Sequence, residues 1–122
     1  MKAVQIVKPN DLRIIDMDKP TIDVKNNVLV KVSHTGGQSR TYQIQIARGS
    51  AVTVIGREIV GVVEEVGDNA KKIKVGDRVI VDQVTACGTC YACRKGRPNV
   101  CEHLQVRGVH IDGGYREYMA VP

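Results

Sequence analysis

At 122 residues the chain is long enough for one domain and too short for two of ordinary size. Apolar residues make up 43%, yet there are four Tyr, no Phe and no Trp, so a core has to be built from Val and Ile, which favour strands. The formal net charge of +5 is dispersed, with one small cluster at Arg94, Lys95 and Arg97 and no interleaved aromatics, which argues for a solvated basic loop and against nucleic acid as a partner.

The opening MKAVQIVKPNDLRIID has too short an apolar run for a leader or a membrane span, and Pro9, Asn10 and Asp11 break it. No membrane partner is expected, and a cytoplasmic location is the default. Lys2–Val7 and Leu12–Asp16 read as strands joined by the Pro9-Asn10-Asp11 turn, a hairpin. Val28, Val30 and Val32 share one face of the next strand. Arg57–Asn69 carries a β-branched strand with Gly61 inside it, a bend or a close backbone approach. Turns follow at Gly67-Asp68-Asn69 and Gly76-Asp77, then a strand at Arg78–Val81 and a final one within Gly113–Pro122. No amphipathic helix of about ten residues or more is visible. Short strands at this spacing predict an antiparallel barrel or sandwich.

All four cysteines, Cys87, Cys90, Cys93 and Cys101, fall in the window CGTCYACRKGRPNVC. Zinc takes four thiolates in a tetrahedron, and short spacers let one backbone fold around the ion. Such a site is closed, with no position for a reacting water, and is therefore structural. Disulfide pairs, an iron–sulfur cluster and a zinc-ribbon module remain rival readings of four cysteines. Bridges between such close neighbours are awkward, and ribbon knuckles are usually further apart. Four thiolates on one zinc ion would bring the formal charge from +5 to +3.

GREIVGVVEEVGDNAKKIKVGDRVIV, the cysteine window and GGYREYMAVP together resemble the N-terminal catalytic domain of the zinc-dependent medium-chain alcohol and polyol dehydrogenases. The likeness runs over almost the whole chain. It implies a mainly β fold, a GroES-like partly open β-barrel with a four-cysteine structural zinc lobe at 87–101, and it supports Cys87, Cys90, Cys93 and Cys101 as ligands. It also implies a catalytic zinc acting as a Lewis acid on the alcohol oxygen. The motifs that would hold that ion are altered: Gln38 stands where the family has Cys, and Arg57 where it has His. Glu58 alone is kept, and one carboxylate does not hold a catalytic zinc. Arg57 is a permanent cation with no lone pair, read as a rim ion pair. The family binds NAD or NADP on a following Rossmann domain, but no G-x-G-x-x-G or βαβ pattern is present.

Between the altered motifs, Tyr42, Ile44 and Ile46 alternate with polar or small residues, and Val52 and Val54 resume the pattern after Arg48-Gly49-Ser50. A three-residue turn would set Ile46 opposite Val52 and Ile44 opposite Val54, a hairpin over 42–54, with an irregular loop as the alternative.

The expectation is one GroES-like domain over 1–122, with an atypical rebuilt segment at 37–57 and no Rossmann domain. One structural zinc is its cofactor; no catalytic or NAD(P)-binding residues are assigned. The departures cluster between Gly37 and Arg57, which points to an engineered domain, with natural divergence as the rival. Two other readings stand beside it. One is a fragment of an NAD(P)-dependent alcohol or polyol dehydrogenase, active with its Rossmann domain. The other is a module that homodimerises through the 42–54 hairpin or through uncovered apolar surface.

Overall fold

The β-branched runs form strands where their alternation places them. A computed structural model describes residues 1–8, 11–36 and 53–122. β1 (Lys2–Lys8) and β2 (Asp11–Asp16) pair antiparallel, from Lys2 opposite Asp16 to Lys8 opposite Asp11. The expected hairpin is therefore present in both its strands. β1 also pairs with β4 (Thr53–Val54), which gives a sheet of order β2-β1-β4. The 42–54 hairpin and Gln38 fall on or run through residues outside the described set.

A second sheet holds β3 (Val28–Gly36), β5 (Glu58–Val66), β6 (Arg78–Val81) and β9 (Tyr118–Val121), all antiparallel, in the order β6-β5-β3-β9. Its inner face is the core: Val28, Val30, Ile59, Val63, Val81, Met119 and Val121 are buried together, with Val32 packed against them. Val30 and Met119 sit directly opposite each other on β3 and β9 and are both fully buried. With no large aromatic in the cluster, the unbranched Met fills the space that stiff valines leave. Each such side chain contributes about 1.5–3 kcal/mol by leaving water.

Gly61 lies in β5 opposite Val32, and a Cβ there would stand 2.5 Å from the Lys31 carbonyl oxygen, so the expected close approach is found. β3 is longer than the valine alternation suggests. Ser33, His34 and Thr35 continue it because β5 supplies partners as far as Gly36 opposite Glu58.

The last strand starts at Tyr118, later than Gly113. The residues before it act as a seam instead. Gly113 N–H donates to Val54 O at 2.8 Å, Gly114 N–H to Gly56 O at 2.9 Å and Tyr115 N–H to Ile55 O at 2.9 Å. Val4 N–H in turn donates to Tyr115 O at 2.8 Å, and Val32 N–H to Glu117 O at 2.9 Å. This seam joins the two sheets while leaving the strands short of a closed barrel, a partly open GroES-like arrangement. It requires glycine at position 113, where a Cβ would run into the Gly56 carbonyl and approach the Ile55 oxygen to 2.7 Å.

A small ribbon, β7 (Val84–Thr85) with β8 (Gln105–Val106), stands apart from both sheets. Between its strands the chain makes the short helix α1 (Tyr91–Arg94) and a 3-10 turn at Pro98–Val100. No helix among the described residues is long and apolar enough to cross a membrane.

Candidate metal centre

The ribbon sets the two ends of the cysteine lobe side by side, with Val84 opposite Val106 and Thr85 opposite Gln105. What lies between has almost no apolar core of its own. Neither α1 nor the 3-10 turn buries a side chain, and Tyr91 and Val100 are exposed. An excursion of this kind loses backbone entropy without hydrophobic compensation, so something else has to hold it.

The sulfurs are what converge. Cys87 follows β7, Cys90 caps the start of α1, Cys93 lies within α1, and Cys101 ends the 3-10 turn. All four Sγ atoms lie within 4.8 Å of one another, with no disulfide among them. Cys101 Sγ is 3.5 Å from Cys87 Sγ and 3.7 Å from Cys90 Sγ. The edge of a zinc–thiolate tetrahedron with bonds of about 2.3 Å is about 3.8 Å. The donor set therefore fits zinc in number, softness and spacing.

Backbone donors prepare the sulfurs for negative charge. Thr89 N–H and Cys90 N–H reach Cys87 Sγ at 3.4 and 3.3 Å, and the Thr89 hydroxyl is 3.6 Å away. Gly88, at φ 77°, makes the left-handed turn that aims those donors inward. Cys87 N–H and His103 N–H both reach Cys101 Sγ at 3.3 Å. The Thr89 and Cys90 donors hold the Cys87 thiol down to about 5. The backbone N–H groups of Cys93 and Glu102 lower Cys90. Burial pushes Cys93 up to about 12, and the neighbouring sulfurs add to this. Four thiolates this close repel, and a divalent cation removes that repulsion. The cysteine spacing alone does not mark the Thr89 and His103 donors. Gly88 between Cys87 and Thr89 is the one local sign of them.

The other sequence-marked residues lie elsewhere. Arg57 directly precedes β5 and Glu58 opens it; with His34, Gly36 and Asp82 they line a cavity of about 630 Å³. Arg57 is half-buried, and its N–H donates to Gly36 O at 3.1 Å. Among the described residues, the four cysteines are the only group of three or more potential ligands that come together; His34, Glu58 and Asp82 do not.

The family model for the alcohol dehydrogenase GroES-like domain matches residues 24–122. The chain belongs to that family. Over its whole length it is 43% identical to the starvation-sensing protein RspB of Escherichia coli K12, of which it covers 37%. It is 40% identical to an uncharacterized zinc-type alcohol dehydrogenase-like protein of Haemophilus influenzae, of which it covers 36%. The crystal structure of a protein described as a short-chain alcohol dehydrogenase, rspB from E. coli CFT073, complexed with NADH, superposes with a TM-score of 0.88 at 44% identity. That match covers all of this chain and 36% of the other. The chain thus spans little more than a third of the length of the curated relatives it matches.

Proposed function

We propose that residues 1–122 form one GroES-like domain that keeps a structural zinc on Cys87, Cys90, Cys93 and Cys101 and has no catalytic centre of its own. The convergence of four sulfurs in a lobe with almost no apolar core is the observation that carries this. Bound there, the ion cross-links the lobe and has no open coordination position. The basic residues Arg94, Lys95 and Arg97 offset the charge of the zinc–thiolate group. Arg57, standing where the family has a ligand, favours the loss of a second metal site, as does the failure of His34, Glu58 and Asp82 to converge. We read 37–57 as rebuilt, and recovery of that segment from a natural genome would overturn this. A cytoplasmic location agrees with the reduced thiols.

The proton balance tests the ligand set. At neutral pH Cys87 is already a thiolate, since its folded value of about 5 lies below the pH. Cys93, at about 12, is protonated and has to give up its proton to the incoming ion. Zinc titration by calorimetry in buffers of different ionisation enthalpy should therefore show proton release at pH 7 that is smaller in Cys93→Ser. The contribution of the Cys87 thiolate is full above its ordinary value near 9, declines as pH falls towards 5 and is gone below it, so zinc is expected to leave most steeply near pH 5. Zinc binding with the same proton release in Cys93→Ser as in the unaltered chain would argue against Cys93 as a ligand.

The second reading, a piece of an NAD(P)-dependent dehydrogenase, has in its favour the greater length of the relatives and the NADH held by one of them. Calorimetric titration of the chain with NADH separates the two. No heat of binding is expected, and tight binding would restore the enzyme reading. The dimer reading draws on Ile14 and Ile80, 74% and 81% exposed on the edge strands β2 and β6. A strictly monomeric species in sedimentation over a range of concentrations would remove it.

A further inference from the structure

The ribbon that carries the cysteine lobe also buries a cation. Arg107 directly follows β8, and its backbone N–H donates to Gln83 O at 2.8 Å. It is only 6% exposed, the one buried charged residue among those described. Its Nε has no hydrogen-bond partner, and no ion pair reaches its guanidinium among the described residues. Burial disfavours its charge, with Asp82 acting in the opposite sense. A guanidinium does not shed its proton under ordinary conditions, so the charge remains, with Asp82 acting on it but making no direct ion pair. Such an arrangement is costly unless an anion completes it.

Arg107 lines a cavity of about 310 Å³ whose other walls include Val28, Val79, Val84 and Val121. That volume is at the lower end of small-ligand sites, and an apolar wall with one polar anchor is their usual chemistry. Asp82 also lines the cavity, with its carboxylate accepting the Val84 N–H at 3.0 Å. It tempers the positive field, which disfavours a multiply charged anion such as phosphate.

We propose that this cavity binds a small monocarboxylate with an apolar tail, the carboxylate meeting the Arg107 guanidinium and the tail lying along the valines. Charge-assisted contacts between carboxylate and guanidinium are the strong ones, and their two-pronged geometry sets orientation. The site is independent of whether the domain is catalytic.

The test is calorimetric titration of the zinc-loaded chain with octanoate and with 1-octanol as the neutral match. Octanoate is expected to bind more than tenfold more tightly than octanol, and Arg107→Met to abolish that preference. Asp82→Asn keeps the acceptor for Val84 N–H and removes the like charge, so octanoate should bind it several-fold more tightly, with octanol unchanged. Equal affinity for the two ligands, undiminished octanoate binding in Arg107→Met, or no binding at all would each overturn the proposal. So would self-association of the chain that is lost in Arg107→Met, because a carboxylate of a second copy would then be the anion.

Discussion

Cys101→Ser is expected to strip the chain of zinc and to unfold the lobe between β7 and β8. Cys101 is the buried member of the cluster, and its sulfur accepts the N–H groups of Cys87 and His103 while facing two other sulfurs. Serine offers a harder, shorter ligand that stays protonated at neutral pH, so the tetrahedron loses a vertex. Zinc binding in small structural sites is worth about 10–16 kcal/mol of folding free energy. Losing even about 3 kcal/mol of that should lower the Tm by roughly 10 °C. Thermal unfolding followed by circular dichroism, with zinc analysis of the same sample, reads both effects. An unchanged Tm with zinc retained would separate Cys101 from metal binding.

Met119→Ala should destabilise the sheet core by about 2–5 kcal/mol and leave the zinc content unchanged. Met119 is fully buried, lies opposite Val30 on β9 and is the longest side chain of a cluster otherwise made of Val and Ile. β-Branched neighbours are held in few rotamers and do not collapse readily into the space it would leave. Denaturant unfolding measures the change as a shift in midpoint at constant slope. A cost below about 1 kcal/mol would mean that the core relaxes around the gap. Loss of zinc from this variant would mean that lobe and core fold as one unit.

The two substitutions divide the molecule as the sequence divides it. The lobe was legible because metal chemistry fixes ligand type and spacing, and CGTC, YAC and the later Cys101 satisfy both. The main strands were legible because β-branched residues alternate through Val28–Val32 and Arg78–Val81. Other features depend on partners distant in sequence. β7 and β8 are two residues each, too short to carry a period. His34 and Thr35 join β3 through their pairing with Val60 and Ile59 of β5, past an irregularity at Ser33. The 113–117 seam is defined by bonds to residues 4, 32 and 54–56, and nothing local in GGYRE marks it. Arg107 reads as a surface residue in QVRGVH and is buried beside a cavity whose walls come from residues distant in sequence, Val28, Val79 and Val121.

The central claim concerns one metal ion with one role, and the zinc content of the purified chain measured by elemental mass spectrometry tests it most directly. One zinc per chain, lost on Cys101→Ser and retained on Met119→Ala, is the predicted result. Two per chain, or none, would contradict it.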